Sequence, residues 1–137
     1  ECDCAIAGGI TLFLSETFQT LSDKNKMSSV SGISSPFDNN ADGVVWSEGC
    51  GVIFLKELEK AIEDNDNIYA VICRSAINYD GSTNGISAPS GRSQFQLLSK
   101  VYSNNHIDLS DIEYIEAHGT ATPLGDPIEV NSLILSR

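Results

Sequence analysis

The residues best suited to chemistry lie in the segment 116–129, EAHGTATPLGDPIE. His118 follows a short strand predicted over 114–116 and immediately precedes a glycine. In α/β folds, ligands bind beyond the carboxyl ends of strands, so a histidine there is a candidate site residue. Its imidazole can donate a hydrogen bond to an oxyanion or transfer a proton near neutral pH. A buried histidine bonded to the backbone fits the same pattern, and the residues alone leave both interpretations open.

Two hydroxyl side chains follow the histidine. Thr120 and Thr122 alternate along the loop and offer their hydroxyl groups on one side of it. The chain then enters a helix, for which the sequence predicts Asp126 as the N-cap and Pro127 as the first helical residue. Glu129 is predicted to complete a capping box with the backbone at the start of this helix.

Two sequence patterns resemble parts of metal-binding sites, and each lacks ligands that a complete site needs. Residues 38–48 begin like a calcium-binding EF-hand loop, with Asp38, Asn40 and Asp42 at alternate positions and a glycine at the sixth. The twelfth position, which needs a bidentate glutamate, is Gly49, and Glu48 comes one residue early. A calcium-binding interaction module at 38–48 therefore stays a remote alternative.

The second pattern is a pair of cysteines, Cys2 and Cys4, on one face of a predicted strand. A structural zinc site needs about four ligands, and no second close pair exists to complete one. We expect all four cysteines to be small buried hydrophobic residues, and we expect no bound metal. None of them lies at a strand-to-helix turn beside small hydroxyl residues, so none is expected to be a nucleophile.

Strands and helices alternate along the chain, which predicts an α/β fold. The strands are apolar on both faces, so helices are expected to cover both sides of the sheet. Long polar loops separate the elements at 28–43 and 78–91. The predicted strands are 3–8, 50–58, 68–77 and 114–116, and the first of them ends in a turn at Gly8-Gly9. The predicted helices are a short one near Ser15, a short one after residue 58 that runs through Ile62, one over 92–103 and one that begins at Asp126.

Charge and composition exclude several classes of function. The chain has 137 residues, a formal net charge of −11 and only 8 basic residues. Nucleic acids and anionic membrane surfaces attract basic proteins, so we expect neither as a partner. No apolar run approaches the roughly 20 residues that span a bilayer. Four cysteines in a chain of this size suggest thiols in a reducing compartment, which predicts a cytoplasmic location.

Four segments in order resemble the β-ketoacyl synthase family of polyketide and fatty-acid synthases. ECDCAIAGG resembles the strand after the nucleophile helix of that family, and PFDNNADGVVWSEGCGVIFLKEL resembles its Phe-Asp-x-x-x-Asp-Gly loop and the strand that follows. NYDGSTNGISAPSG resembles a loop typical of the polyketide branch, and EAHGTATPLGDPIE resembles a signature with glycine in place of Ala121. The resemblance covers nearly the whole chain and implies a partial thiolase-like fold, α/β, of layered mixed sheets covered by helices.

The resemblance also implies roles for individual residues. Members of the family condense an acyl thioester with a malonyl-type thioester by decarboxylation, using a Cys-His-His site. His118 matches the first histidine, which hydrogen-bonds the thioester oxygen as the enolate forms. Thr120 and Thr122 match threonines that bind the phosphopantetheine arm of an acyl carrier protein, the expected partner. The family is usually homodimeric, and its domain binds no cofactor of its own.

The match implies that the chain is an internal part of such a domain. Residues 1–65 are expected to be the end of its N-terminal half, and residues 66–137 the start of its C-terminal half. The motifs that carry the nucleophilic cysteine and the second histidine do not occur in this sequence. We therefore expect the chain alone to be incomplete and inactive. A non-catalytic homologue that pairs with an active partner protein is the principal alternative.

Overall fold

The computed structural model describes residues 2–83, 85, 88–103 and 109–136. The chain divides into two compact units. One comprises Glu1–Phe18 and Trp46–Cys73, and the other comprises Gln19–Val45 and Arg74–Arg137. Residues 84, 86 and 87 of the predicted loop at 78–91 lie outside the described residues.

The first unit is built on an antiparallel pair of strands, β1 (Cys4–Thr11) and β2 (Gly49–Lys56). Cys4 pairs with Lys56, and Thr11 pairs with Gly49. The prediction of β2 is confirmed, whereas the turn predicted at Gly8-Gly9 is wrong, because β1 continues through both glycines. A Cβ atom at Gly8 would lie 3.0 Å from the carbonyl oxygen of Gly51, so this glycine permits close approach of the two strands instead of reversing the chain.

Both faces of this strand pair are exposed. Ile6 and Phe54, opposite each other on one face, are 74% and 63% exposed, and Ile53 on the other face is 55% exposed. The sequence predicted buried strands, and burial is wrong for the described chain because this sheet contains only two strands. The four cysteines are also exposed, which corrects their predicted burial; two of them, Cys4 and Cys50, lie on the uncovered strands.

The short helix α2 (Leu58–Glu63) follows β2 directly and buries Ala61. Its predicted position is confirmed. Beyond it, the ammonium group of Lys56 forms ion pairs with Asp64 and, at 2.6 Å, with Asp66. These two carboxylates raise the pKa of Lys56 to about 12. These ion pairs thus link the turn predicted at 64–67 to the end of β2.

Two predicted strands are not assigned as strands in the described residues. Residues 68–77 and 114–116 have no strand assignment. A strand is defined by its pairing within a sheet, and the sheet of the described residues consists of β1 and β2. Their β-branched and aromatic composition favours an extended backbone, but composition alone supplies no pairing partner.

The second unit contains the two longest helices among the described residues, α3 (Gly91–Ser103) and α4 (Gly125–Leu135). They pack closely, since a Cβ atom at Gly91 would lie 3.2 Å from Ile128 Cγ2. The Ser132 hydroxyl lies 2.8 Å from the Ile128 carbonyl oxygen of its own helix and 3.1 Å from the Gly91 carbonyl oxygen of α3, so its one proton is shared between the two helices. The helix predicted over 92–103 is confirmed, and a 3-10 helix (Leu109–Asp111) lies between α3 and α4.

Helix α1 (Thr17–Lys24) confirms the short helix predicted near Ser15. At its start, the ring of Phe18 stacks on Phe13 with centroids 5.0 Å apart and meets the edge of Trp46 at 4.8 Å. None of the described helices is both long enough and apolar enough to cross a membrane.

Candidate functional site

The backbone of the His118 loop is held by a carboxylate from the helix that follows it. Glu129 Oε1 accepts a hydrogen bond from the His118 N–H at 2.7 Å, and Oε2 accepts one from the Gly119 N–H at 2.9 Å. Helical side chains point toward the N-terminus of their helix, so a glutamate in the second turn reaches the loop before it. The capping-box role predicted for Glu129 is therefore wrong, because its side chain binds the loop.

The His118 imidazole itself is exposed. It forms no hydrogen bond with another residue in the described parts of the chain, so the contacts seen here hold the backbone beneath the ring. An exposed, unengaged imidazole on a fixed backbone is suited to bind an external ligand. This arrangement favours the site interpretation of His118 over that of a buried structural histidine.

Asp126 also binds a distant backbone group instead of capping its own helix. The N-cap of α4 is Leu124, without a side-chain hydrogen bond, and Asp126 lies inside the first turn. Asp126 is 4% exposed, and its Oδ2 accepts a hydrogen bond from the Phe37 N–H at 2.7 Å. The predicted N-cap is wrong because Asp126 is used to attach the loop at 28–43 to the start of α4.

Thr120 and Thr122 are brought together, with their hydroxyl oxygens 3.0 Å apart. Thr122 Oγ1 also accepts a hydrogen bond from the Gly125 N–H at 3.1 Å. Of the two hydroxyl protons, one serves the bond between the threonines, and the other remains for a further acceptor. Thr120 is half-buried, and the pair presents a single donor at the start of α4.

The residues between the histidine and the threonines adopt a left-handed backbone. Gly119 has a φ of +49° and Ala121 a φ of +59°. A Cβ atom at Gly119 would lie 3.2 Å from the Phe37 ring, so both the conformation and the narrow space favour glycine there. Ala121 is fully buried, and its carbonyl oxygen accepts a hydrogen bond from the Gly43 N–H at 2.9 Å. The alanine therefore occupies a backbone conformation that favours glycine.

The loop predicted over 28–43 is confirmed, and its acidic residues have separate partners. Asp38 Oδ1 accepts from the Asn40 N–H at 2.8 Å. Asp42 accepts from the Ser29 hydroxyl at 2.6 Å and the Ser31 N–H at 2.8 Å, and these bonds lower its pKa. Over the described residues, no three His, Cys, Asp or Glu side chains form a group that could hold a metal ion. No observation favours the calcium module considered at 38–48.

Sequence reasoning proposed His118 and both threonines as site residues, which stays a prediction, and it missed the hydrogen-bond partners of two carboxylates. Asp126 and Glu129 lie three residues apart at the start of a helix, a spacing typical of self-capping. The sequence did carry a signal for these bonds. The glycine and small residues before Asp126 leave backbone N–H groups accessible to a carboxylate. Which distant N–H each carboxylate binds depends on the folded path of the chain.

Two family models match the chain in succession. Residues 1–61 match the description "Beta-ketoacyl synthase, N-terminal domain". Residues 69–135 match the description "Beta-ketoacyl synthase, C-terminal domain".

Curated relatives match along nearly the whole chain. The chain is 45% identical over 134 residues to polyketide synthase PksM of Bacillus subtilis, covering 97% of this chain and 3% of that protein. It is 41% identical over 133 residues to the non-reducing polyketide synthase pkbA of Emericella nidulans, covering 97% of this chain and 5% of that one. The chain therefore spans only a small part of these relatives.

Solved structures have the same backbone path. The ketosynthase from module 6 of the bacillaene synthase of Bacillus subtilis 168 superposes with a TM-score of 0.95 at 42% identity, covering 98% of this chain and 24% of that one. The oxazolomycin ketosynthase domain of Streptomyces albus JA3453 gives a TM-score of 0.94 at 33% identity, covering 98% of this chain and 23% of that one.

Proposed function

Because the chain belongs to the β-ketoacyl synthase family, we propose that it forms part of a ketosynthase domain that joins acyl and malonyl-type thioesters in polyketide biosynthesis. The thiolase-like α/β fold expected from the sequence is confirmed by the likeness to solved ketosynthases. The observation that carries the proposed function is the exposed imidazole of His118 on a loop whose backbone is fixed by Glu129.

The role of His118 follows from where charge develops in the reaction. When a malonyl thioester loses CO₂, the bond between its carboxylate and C2 breaks, and the electron pair moves onto the thioester oxygen as an enolate. A donor placed at that oxygen stabilises the enolate more than the starting thioester and so lowers the barrier. The enolate carbon then attacks the acyl thioester, and the thiolate that carried the acyl group leaves.

The threonine pair is proposed to position the substrate. The one hydroxyl proton left over from the bond between Thr120 and Thr122 is available to a carbonyl or hydroxyl of a phosphopantetheine arm. Such a contact holds the thioester beside His118 and contributes orientation without taking part in the chemistry. The acyl carrier protein that bears this arm is the proposed partner, and the homodimer and the cytoplasmic location remain predictions.

The boundary between the halves is proposed at residues 65 and 66. The end of one family match at residue 61 and the start of the next at residue 69 support this division. We also propose that the chain alone is inactive, because the nucleophile and second-histidine motifs do not occur in it. Fatty-acid synthesis is a less favoured alternative, since both curated relatives described above are polyketide synthases.

The test is His118→Ala in the full-length parent enzyme, with CO₂ release from a malonyl-carrier protein as the readout. We expect decarboxylation to fall by about 10²–10³-fold, as for the loss of one oxyanion donor. Transfer of an acyl group to the enzyme should persist, because that step forms no malonyl enolate. Undiminished decarboxylation by the variant would contradict the proposed role of His118.

The principal alternative is a non-catalytic homologue that pairs with an active partner protein. Sequencing the coding DNA before Glu1 decides between the two functions. A cysteine in the nucleophile motif supports the condensing enzyme, and glutamine or another residue there supports the non-catalytic partner.

A further inference from the structure

We infer that Asp80 is a site of spontaneous backbone modification, at which the side chain cyclises onto Gly81 and reopens as isoaspartate. The sequence contains two Asp-Gly pairs, Asp42-Gly43 and Asp80-Gly81, one in each of the two long polar loops. Glycine has no side chain, so its nitrogen can approach the carboxyl group of the preceding residue without a steric block. The two pairs are chemically alike, and the structure around each one decides whether it reacts.

The reaction needs no partner molecule other than water. The Gly81 nitrogen attacks the side-chain carboxyl carbon of Asp80, and a C–N bond forms. The hydroxyl of the protonated carboxyl group leaves as water with the proton of the Gly81 N–H, which gives a cyclic succinimide. Water then opens this ring at either of its carbonyl carbons. One opening restores aspartate, and the other leaves the main chain running through the former side chain, as isoaspartate.

The fold holds the Asp42-Gly43 pair out of the reactive geometry. Asp42 accepts a hydrogen bond from the Ser29 hydroxyl at 2.6 Å through Oδ1 and one from the Ser31 N–H at 2.8 Å through Oδ2. Gly43 is buried, and its N–H donates to the Ala121 carbonyl oxygen at 2.9 Å. Both groups that would have to react are therefore bound to other atoms.

The Asp80-Gly81 pair lacks these restraints within the described part of the chain. Both residues are exposed, and neither the Asp80 carboxylate nor the Gly81 N–H has a hydrogen-bond partner among the described residues. Gly81 has a φ of +69°, and no described atom lies within 4 Å of the position that a Cβ atom would take. The carboxyl group of Asp80 and the nitrogen of Gly81 are therefore free to turn toward each other.

Isoaspartate at this position changes how the loop is attached to α3. The Asn78 side-chain amide donates to the Ser93 carbonyl oxygen at 2.6 Å, and the Ser93 hydroxyl donates to the Asp80 carbonyl oxygen at 3.4 Å. After the modification, that carbonyl belongs to a free carboxylate, and the main chain is longer by one methylene carbon. The Ser93 hydroxyl then meets a mobile charged group in place of a fixed backbone carbonyl.

The experiment ages the full-length parent enzyme at neutral pH and samples it over time. Mass spectrometry with electron-transfer fragmentation assigns isoaspartate to individual residues, so the two Asp-Gly pairs are compared within one protein. Breaking one hydrogen bond to a charged group lowers the population of the reactive conformation by about 10–100-fold. We expect isoaspartate to form at Asp80 at least about 10-fold faster than at Asp42.

Two controls test the role of the surrounding structure. A synthetic peptide of residues 78–83 has no fold and gives the unrestrained rate; Asp80 in the enzyme should react within about 10-fold of it, less than the effect of one such hydrogen bond. Ser29→Ala removes one bond to Asp42 and should raise the rate there by about 10-fold, with no change at Asp80.

Three results overturn the inference: equal rates at the two aspartates of the wild type, a peptide that forms isoaspartate while Asp80 in the enzyme does not, and an unchanged rate at Asp42 in folded S29A. If S29A does not fold, the comparison of the two sites in the wild type and with the peptide carries the test. The measurement follows backbone chemistry alone, so its outcome is independent of the proposed condensing activity.

Discussion

The 137-residue chain by itself is predicted not to form a stable monomer. Five large side chains of the β1–β2 pair are more than half exposed: Ile6, Ile10, Val52, Ile53 and Phe54. Full burial of such a side chain contributes about 1.5–3 kcal/mol, so about 5–10 kcal/mol of favourable burial is not realised in this strand pair. That is comparable to the entire unfolding free energy of a small domain, about 5–15 kcal/mol.

The assay is thermal unfolding by circular dichroism, with binding of an apolar dye and analytical ultracentrifugation. We expect a broad transition without cooperativity, strong dye binding and association that grows with concentration. The double variant Ile6→Thr with Phe54→Thr should weaken dye binding and association, because these residues pair across the two strands. Leu14→Thr, at an exposed position outside the strands, is the control and should have a smaller effect. A sharp, concentration-independent transition of a monomer that binds no dye would refute the reasoning.

Four further predictions concern the parent ketosynthase domain. Gly43→Ala should lower the unfolding free energy by about 2–4 kcal/mol in denaturant titrations, since the new Cβ would lie 2.6 Å from the Ser28 carbonyl carbon at a φ of +141°; an unchanged midpoint would contradict this. Asp126→Ala should cost about 1–3 kcal/mol in the same assay by leaving the Phe37 N–H without its acceptor. Thr122→Val should lose about 1–3 kcal/mol, and Thr122→Ser should recover most of it, because only the hydroxyl accepts the Gly125 N–H. The Ser29 and Ser31 hydrogen bonds hold the pKa of Asp42 below its ordinary value of 3.8, so their stabilisation is present above that pH and is lost as the pH falls below it; thermal unfolding of Asp42→Asn should show less of this acid dependence than the wild type.

Local patterns in the sequence predicted the elements that depend on local interactions. Helix α3 has apolar residues at helical spacing, and β2 is a continuous apolar run, and both lie where expected. The extent of β1 was not predictable in the same way. Gly8 and Gly9 are typical of a turn, and only the strand opposite them shows that Gly8 is needed for close approach.

The candidate site also combines features that local sequence predicts with features that depend on the folded chain. His118, Thr120 and Thr122 were predicted as site residues from residue type and from the family resemblance, and the structure brings the two threonines into contact. The hydrogen-bond partners of Asp126 and Glu129 were missed. A carboxylate at the start of a helix can bind the free N–H groups of that helix or those of a nearby loop. The choice depends on long-range packing, such as the approach of Phe37 to Gly119, which no local pattern encodes.

The pairing of β1 with β2 also sets an order of events during synthesis. Thr11 pairs with Gly49 and Cys4 with Lys56, so β1 can begin to pair only after about 40 further residues have been synthesised, and pairing is complete after about 50. At typical synthesis rates this interval lasts about 3–10 s, during which the apolar side chains of β1 have no strand to pair with. Helix α2 follows β2 immediately and can form from local contacts as soon as it emerges. The unpaired backbone edge of β1 is therefore most open to pairing with another chain in the interval before β2 emerges.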